Sequence, residues 1–172
     1  MNDLVLLTAL FAGPAYGYAL KKTAGLIFGS GAMHNNVIYP SLKKFVENGW
    51  VQQATVPGQR GQERKQYRIT PAGRKYLLQQ IGTLPAHDAA DEGAFLLRVA
   101  LFDVLSQKKR AAIVASRKAF LTARVRELAQ LHEAAPRKSF ATVALTRVQN
   151  RVKDELRWIH QIETEWQTKV GD

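Results

Sequence analysis

The chain has 172 residues, 46% apolar and 23% charged, enough for one domain with a good core or for two small units. It contains no cysteine, which excludes disulfides, thiol catalysis and thiolate-bound zinc. Its 25 Lys and Arg against 14 Asp and Glu leave a formal charge of +11, a balance that favours a polyanionic partner.

The surplus is uneven: residues 1–80 hold ten Lys/Arg against three Asp/Glu (+7), and residues 81–172 hold fifteen against eleven (+4). Apolar runs such as 4–11 and 99–102 fall far short of the ~20 residues needed to cross a bilayer. No basic segment precedes the first run, so no signal peptide is expected, and the lack of cysteine fits a reducing cytoplasm.

Asn2 and Asp3 are expected to cap a helix running to about residue 12. Leu4, Val5, Leu6, Leu7, Ala9, Leu10 and Phe11 leave it almost no polar face, which predicts enclosure by protein on all sides. One small domain covers one side, so the far side is expected to meet a C-terminal half, from this chain or a second subunit. Gly13-Pro14 makes a turn, and residues 15–28 form the next helix, with Tyr18, Leu20, Ala24 and Ile27 inward and Lys21 and Lys22 exposed. Gly29-Ser30-Gly31 reads as a plain turn, because no further Gly or Lys-Ser/Thr follows at phosphate-loop spacing.

Residues 37–48 carry apolar side chains at 38, 42, 45 and 46 with Lys43 and Lys44 on the flank, a helix with one buried stripe and one basic face. Asn35 or Asn36 is its candidate N-cap, Pro40 lies near its start, and Gly49 is its stop. Residues 50–56 and 64–70 read as two strands, joined by a polar Pro-Gly link that projects into water. A helix followed by a two-stranded ribbon with a basic tip outlines a winged helix-turn-helix, the helix sized for a DNA major groove and the ribbon for the neighbouring backbone. Thr70-Pro71 then signals a helix to about residue 81, with Tyr76, Leu77 and Ile81 inward.

Gly82-Thr83-Leu84-Pro85 is the expected boundary between a DNA-binding domain, 1–82, and a helical dimerisation and effector domain, 83–172. Asp88, Asp91 and Glu92 suit a first turn. Residues 95–105 are nearly all apolar apart from Arg98 and Asp103, which predicts a central helix. Ser106 is placed to cap a helix over about 107–135, basic at Lys108, Lys109, Arg110, Arg117 and Lys118, with a stripe at Ile113, Phe120, Val125, Leu128 and Leu131. Pro136 ends it, and Ser139 caps a last helix whose apolar residues at 148, 152, 156, 159, 162 and 166 form a coiled-coil-like seam. Three helices make too thin a layer to bury all these faces, so a second copy is expected to pair with them. The predicted fold is therefore mainly α: a winged helix-turn-helix followed by a three-helix C-terminal dimerisation region.

Lys43 and Lys44 suit phosphate or guanine edges, and His34, Asn35 and Asn36 are placed to reach base edges, one Asn being equally a cap. Arg60, Arg64 and Lys65 would hold the backbone or minor groove from the ribbon. Affinity should then fall steeply with salt, and two half-sites should form a near-palindromic duplex site. A winged helix that binds only protein is the alternative, and the basic ribbon argues against it. The scattered His34, His87, His132 and His160 have no metal-ligand spacing, and no catalytic constellation has local support, so no enzyme, metal or cofactor is expected. The basic helix over 107–126 lacks interfacial Trp, which argues against a membrane surface. Trp158 and Trp166, with His160, lie on the last helix, where a Trp on an apolar stripe reads as core rather than a ligand platform, and no effector contact is assigned.

The first 80 residues resemble the PadR family of bacterial transcriptional regulators. The resemblance rests on Gly13-Pro14, Gly17-Tyr18, Tyr39-Pro40 with Leu42 and Lys43, Gly49-Trp50-Val51, the run Arg64-Lys65-Gln66-Tyr67-Arg68-Ile69-Thr70, and Gly73-Arg74, in that order and spacing. The C-terminal half resembles the larger members in helix number and length. This implies a homodimer whose C-terminal helices embrace the partner's first helix. It also implies repression at a promoter, relieved by a small, often aromatic or phenolic, molecule bound between the two parts. Tyr39 resembles the family's DNA-facing tyrosine, and Tyr18 is assigned likewise. The segment Met33-His34-Asn35-Asn36-Val37-Ile38 departs from the small residues often found there, so base preference does not carry over.

Overall fold

The structure, a computed structural model, describes residues 2–28, 35–57, 63–136 and 139–168. In chain order these form α1 (Asn2–Ala12), β1 (Ala15–Tyr16), α2 (Gly17–Phe28), α3 (Asn35–Glu47), β2 (Val51–Pro57), β3 (Glu63–Ile69) and α4 (Pro71–Gln80). Then follow α5 (Glu92–Val99), a short 3-10 turn (Phe102–Val104), α6 (Gln107–Ala134) and α7 (Phe140–Thr168). The protein is mainly helical, with one antiparallel sheet in the order β1-β3-β2, which is the expected winged helix followed by a helical region. By contacts the chain divides into two compact units, residues 1–83 with 96–109, and residues 84–95 with 110–172.

In the first unit, α1 buries Val5, Leu6, Leu7 and Leu10, as its lack of a polar face requires. Leu20, Ile38, Leu42, Phe45 and Leu77 complete the core around it. Asp3, expected as a cap, instead reaches α3, where its carboxylate accepts bonds from Ser41 and Lys44.

The second helix starts later than the periodicity suggests. Ala15 and Tyr16 pair with Tyr67 and Gln66, forming an edge strand before α2 begins at Gly17. Open backbone groups on β3 capture these two residues, a tertiary effect that local propensity does not contain. The Gly29-Ser30-Gly31 turn lies outside the described residues.

α3 ends as its sequence dictates. Gly49 takes φ 69°, its N–H bonds to the Val46 carbonyl at 3.0 Å, and the Trp50 N–H reaches back to Phe45 at 2.9 Å. That pair of bonds is a Schellman stop, which glycine permits because it has no Cβ to clash in the left-handed region. β2 and β3 then pair from Val51↔Ile69 out to Pro57↔Glu63. Thr70 closes the wing: its hydroxyl donates to the Gly49 carbonyl at 2.7 Å and accepts the Gly73 N–H at 3.0 Å, capping α4, with Pro71 in the first turn. Trp50 stacks on Tyr76 at 3.7 Å between ring centres. A Cβ on Gly73 would fall 2.1 Å from the Trp50 carbonyl oxygen, so this close approach needs glycine.

The helix expected over 95–105 stops at Val99. Leu101 leaves the helical path at φ −119°, ψ 17°, and the turn that follows lets Leu101, Phe102 and Leu105 all be buried. Arg98 is buried too, its Nε donating to the Thr83 carbonyl at 2.5 Å.

In the second unit, α6 and α7 share a core of Ile113, Val114, Leu121, Leu128, Ile159 and Trp166. Trp158 packs edge-on against Phe95. Asp91 caps α5 and Ser139 caps α7. Arg117, one of the basic residues of its helix, is 3% exposed. Its Nε and one NH donate to both Glu155 oxygens at 2.7 and 2.8 Å, and its other NH donates to the Ala89 carbonyl at 2.6 Å. The paired carboxylate is what makes a buried guanidinium tolerable. Conversely, Leu131 and Val148, predicted on apolar stripes, are 53% and 39% exposed, beside Phe140 at 93% and Val143 at 65%.

Candidate nucleic-acid interface

The packing of α3 decides which of its side chains remain free. Ile38, Leu42 and Phe45 turn inward, leaving Asn36, Tyr39, Pro40, Lys43, Lys44 and Glu47 exposed, together with Val46, which the stripe had placed inside. Lys43 is the most open of these cations, its side chain 80% exposed and its ammonium 3.8 Å from Glu47. Lys44 is set differently, bonded to Asp3 at 2.8 Å, which raises its pKa through the hydrogen bond first and the carboxylate charge second.

Beside α3 lies a concavity of about 1000 Å³. The first turn of α2 contributes Gly17 and Tyr18, α3 contributes Tyr39 and Lys43, and the wing contributes Arg64 and Lys65. Five of the predicted residues, Tyr18, Tyr39, Lys43, Arg64 and Lys65, therefore meet around one hollow although they come from three elements. Tyr18, expected among the inward contacts of its helix, is instead 76% exposed, and Tyr39 is 51% exposed. Gly17 lets Tyr39 lie against the start of α2, since a Cβ there would sit 3.0 Å from the Tyr39 ring.

Tyr67 forms part of the same wall and is buried. Burial raises the pKa of its phenol, and Tyr39 adds to the shift. Asn36 is exposed on α3, Asn35 is its first residue with a side chain outside the description, and His34 and Arg60 lie outside the described residues. Gly17, Tyr16, Tyr67 and Asp3 were not singled out for the site from sequence. The Tyr-Gly-Tyr run after Gly13-Pro14 was a usable signal for the first two, whereas Asp3 gave none, because its partners are 38 and 41 residues away.

A second hollow in the same unit, about 630 Å³, is walled by α1, the middle of α2 and residues 96–104. Its lining is mostly apolar, with Val5, Phe11, Leu20, Leu97 and Leu101. Thr8 also lines it, and its Oγ1 is buried with no hydrogen-bond partner among the described residues. Among those residues no cluster of His, Asp and Glu could hold a metal ion, and no helix is long and apolar enough to cross a membrane.

A helix presented beside a cationic two-stranded ribbon, on a three-helix core, is the architecture of a winged helix-turn-helix domain. Residues 6–79 match the transcriptional regulator PadR-like family. Solved structures to which it is similar include a transcriptional regulator from Clostridium thermocellum, with 28% identity over 45% of this chain and 76% of that one, at a TM-score of 0.42. Another is Bacillus subtilis PadR in complex with operator DNA, with 21% identity over 93% and 96% of the two chains and a TM-score of 0.45. A third, from Streptococcus mutans, is 15% identical over 90% and 98%, with a TM-score of 0.41. No curated protein matches the chain.

Proposed function

We propose that the protein is a homodimeric, cytoplasmic repressor that binds duplex DNA and is released by a small aromatic or phenolic effector. One observation carries the DNA-binding part: Tyr18, Tyr39, Lys43, Arg64 and Lys65 converge on a single hollow within the segment that matches the PadR-like family. Lys43, Arg64 and Lys65 are charged donors for phosphate oxygens, and the tyrosine hydroxyls are neutral ones. Asn36, with Asn35 behind it, stands where α3 would enter the major groove, and Arg60 would extend the wing's grip. Residues 1–82 thus provide recognition, and residues 83–172 provide pairing.

Exposed Leu131, Phe140, Val143 and Val148 support the dimer, since large apolar side chains grouped near one end of a helical hairpin are a surface that asks for cover. Two copies would present two α3 helices to a near-palindromic operator. The hollow beside α1 supports the effector: its volume suits a small molecule, its walls are apolar, and the Thr8 hydroxyl offers a partner to a phenol.

The test is fluorescence anisotropy with duplexes that the protein itself selects from a random pool, over a salt series, alongside light scattering. The reading expects dimers and an affinity whose logarithm falls with log salt by ~0.9 per phosphate contact. Monomers that select no duplex even at low ionic strength would refute it.

A further inference from the structure

Both lysines on the open side of α3 have a carboxylate partner, but the two pairs differ in kind. Lys43 and Glu47 lie one helical turn apart on the same surface, loosely spaced at 3.8 Å. Lys44 is bonded across elements to Asp3 at 2.8 Å, and the same carboxylate accepts from Ser41 at 2.9 Å. Asp3 is 31% exposed and Lys44 56%, so the pair sits at the rim of α3's open side. Asn36, Pro40 and Lys44 form one ridge of α3 by their spacing of four, next to the ridge of Tyr39, Lys43 and Glu47. A free ammonium on that ridge would add a phosphate contact at any duplex, whatever its sequence.

We propose that Asp3 is a specificity residue: it holds Lys44 in an internal pair and so lowers affinity for DNA of the wrong sequence. The inference rests on the DNA-binding reading above and goes beyond it by giving a role to an acidic residue on α1. Two effects act together. The carboxylate claims the Lys44 ammonium, and its own negative charge repels phosphate. Discrimination is a difference between two affinities, and a repulsive element widens it as surely as an added attraction. The Ser41 bond makes the arrangement stable, because it fixes the carboxylate against α3 independently of Lys44.

Asp3→Asn removes the charge and keeps an acceptor for Ser41. Its binding is measured by fluorescence anisotropy against a scrambled duplex and against a duplex selected by the wild type, over a salt series. The expected result is tighter binding to the scrambled duplex, a salt slope steeper by ~0.9 per protomer, and a smaller ratio between the two affinities. Asp3→Asn/Lys44→Gln should return the slope to near the wild-type value. An unchanged slope and ratio in Asp3→Asn, or a steeper slope that persists in the double variant, overturns the inference. If Asp3→Asn does not fold, Lys44→Gln alone decides: a smaller drop in slope than Lys43→Gln supports the inference, and an equal drop overturns it. Wild-type protein that binds neither duplex refutes the DNA-binding reading itself, whereas the other adverse results refute only the role of Asp3.

Discussion

Breaking the Arg117–Glu155 pair should damage the helical unit far more than an ordinary surface ion pair would. Arg117 is 3% exposed and Glu155 15%, and the pair is bidentate. Glu155→Ala leaves the guanidinium buried, with the Ala89 carbonyl as its one hydrogen-bond partner among the described residues and the Phe95 and Phe120 rings beside it. Loss of one member of a buried pair costs about 3–5 kcal/mol, against about 0–1 kcal/mol at a surface. For a chain of 172 residues this corresponds to a fall in melting temperature of roughly 6–20 °C.

Arg117→Met/Glu155→Leu removes both charges and leaves only the Ala89 carbonyl without its donor, a loss of about 1–3 kcal/mol. The double variant should therefore be more stable than Glu155→Ala. Urea unfolding followed by circular dichroism, at one fixed protein concentration because the proposed subunit pairing would shift the midpoint, measures both variants. A Glu155→Ala penalty below about 1 kcal/mol, or a double variant no better than the single, would refute the reasoning.

Gly73→Ala forces a Cβ to 2.1 Å from the Trp50 carbonyl oxygen, and unfolding should show a loss of about 1–3 kcal/mol or more. Thr70→Ala removes the α4 cap and should cost about 1 kcal/mol in the same assay. Lys43→Gln should weaken binding to all duplexes alike and reduce the salt slope by ~1 per half-site; a change confined to one base position would contradict a phosphate role. Tyr67 should ionise above the ordinary 10.0, because burial disfavours the phenolate. A folded-state pKa above the unfolded one gives a contribution that is complete below pH 10.0 and is lost as pH rises through the folded value. An ultraviolet titration should show a late step that is missing in Tyr67→Phe.

Legibility in the sequence followed the range of the interaction. The α3 stripe apart from Val46, its Gly49 stop and the Thr70-Pro71 cap depend on residues within one or two turns, and each appears in the fold as a short-range pattern implies. β1 was missed because two residues acquire strand geometry only when β3 lies beside them. Arg117 looked like surface because its residue type is usually solvated, and nothing near it in the chain announces Glu155, 38 residues away. The bend at Leu101 has no Gly or Pro to mark it; burial of three large side chains decides it. For the candidate site, Tyr39 and Lys43 could be paired by their spacing of four. That Arg64, Lys65 and Tyr18 face the same hollow follows from how the wing and α2 pack, which a single sequence does not spell out.

The return of residues 96–109 to the first unit bears on portability. Leu97 and Leu101 wall the same hollow as Val5 and Leu20, so a gene fragment truncated after Gly82 would encode a reader with part of its own padding missing. Exchanging this reader for another by a single splice would sever it from those leucines. Recombination that reshuffles such proteins, in nature or at the bench, has to carry both pieces together.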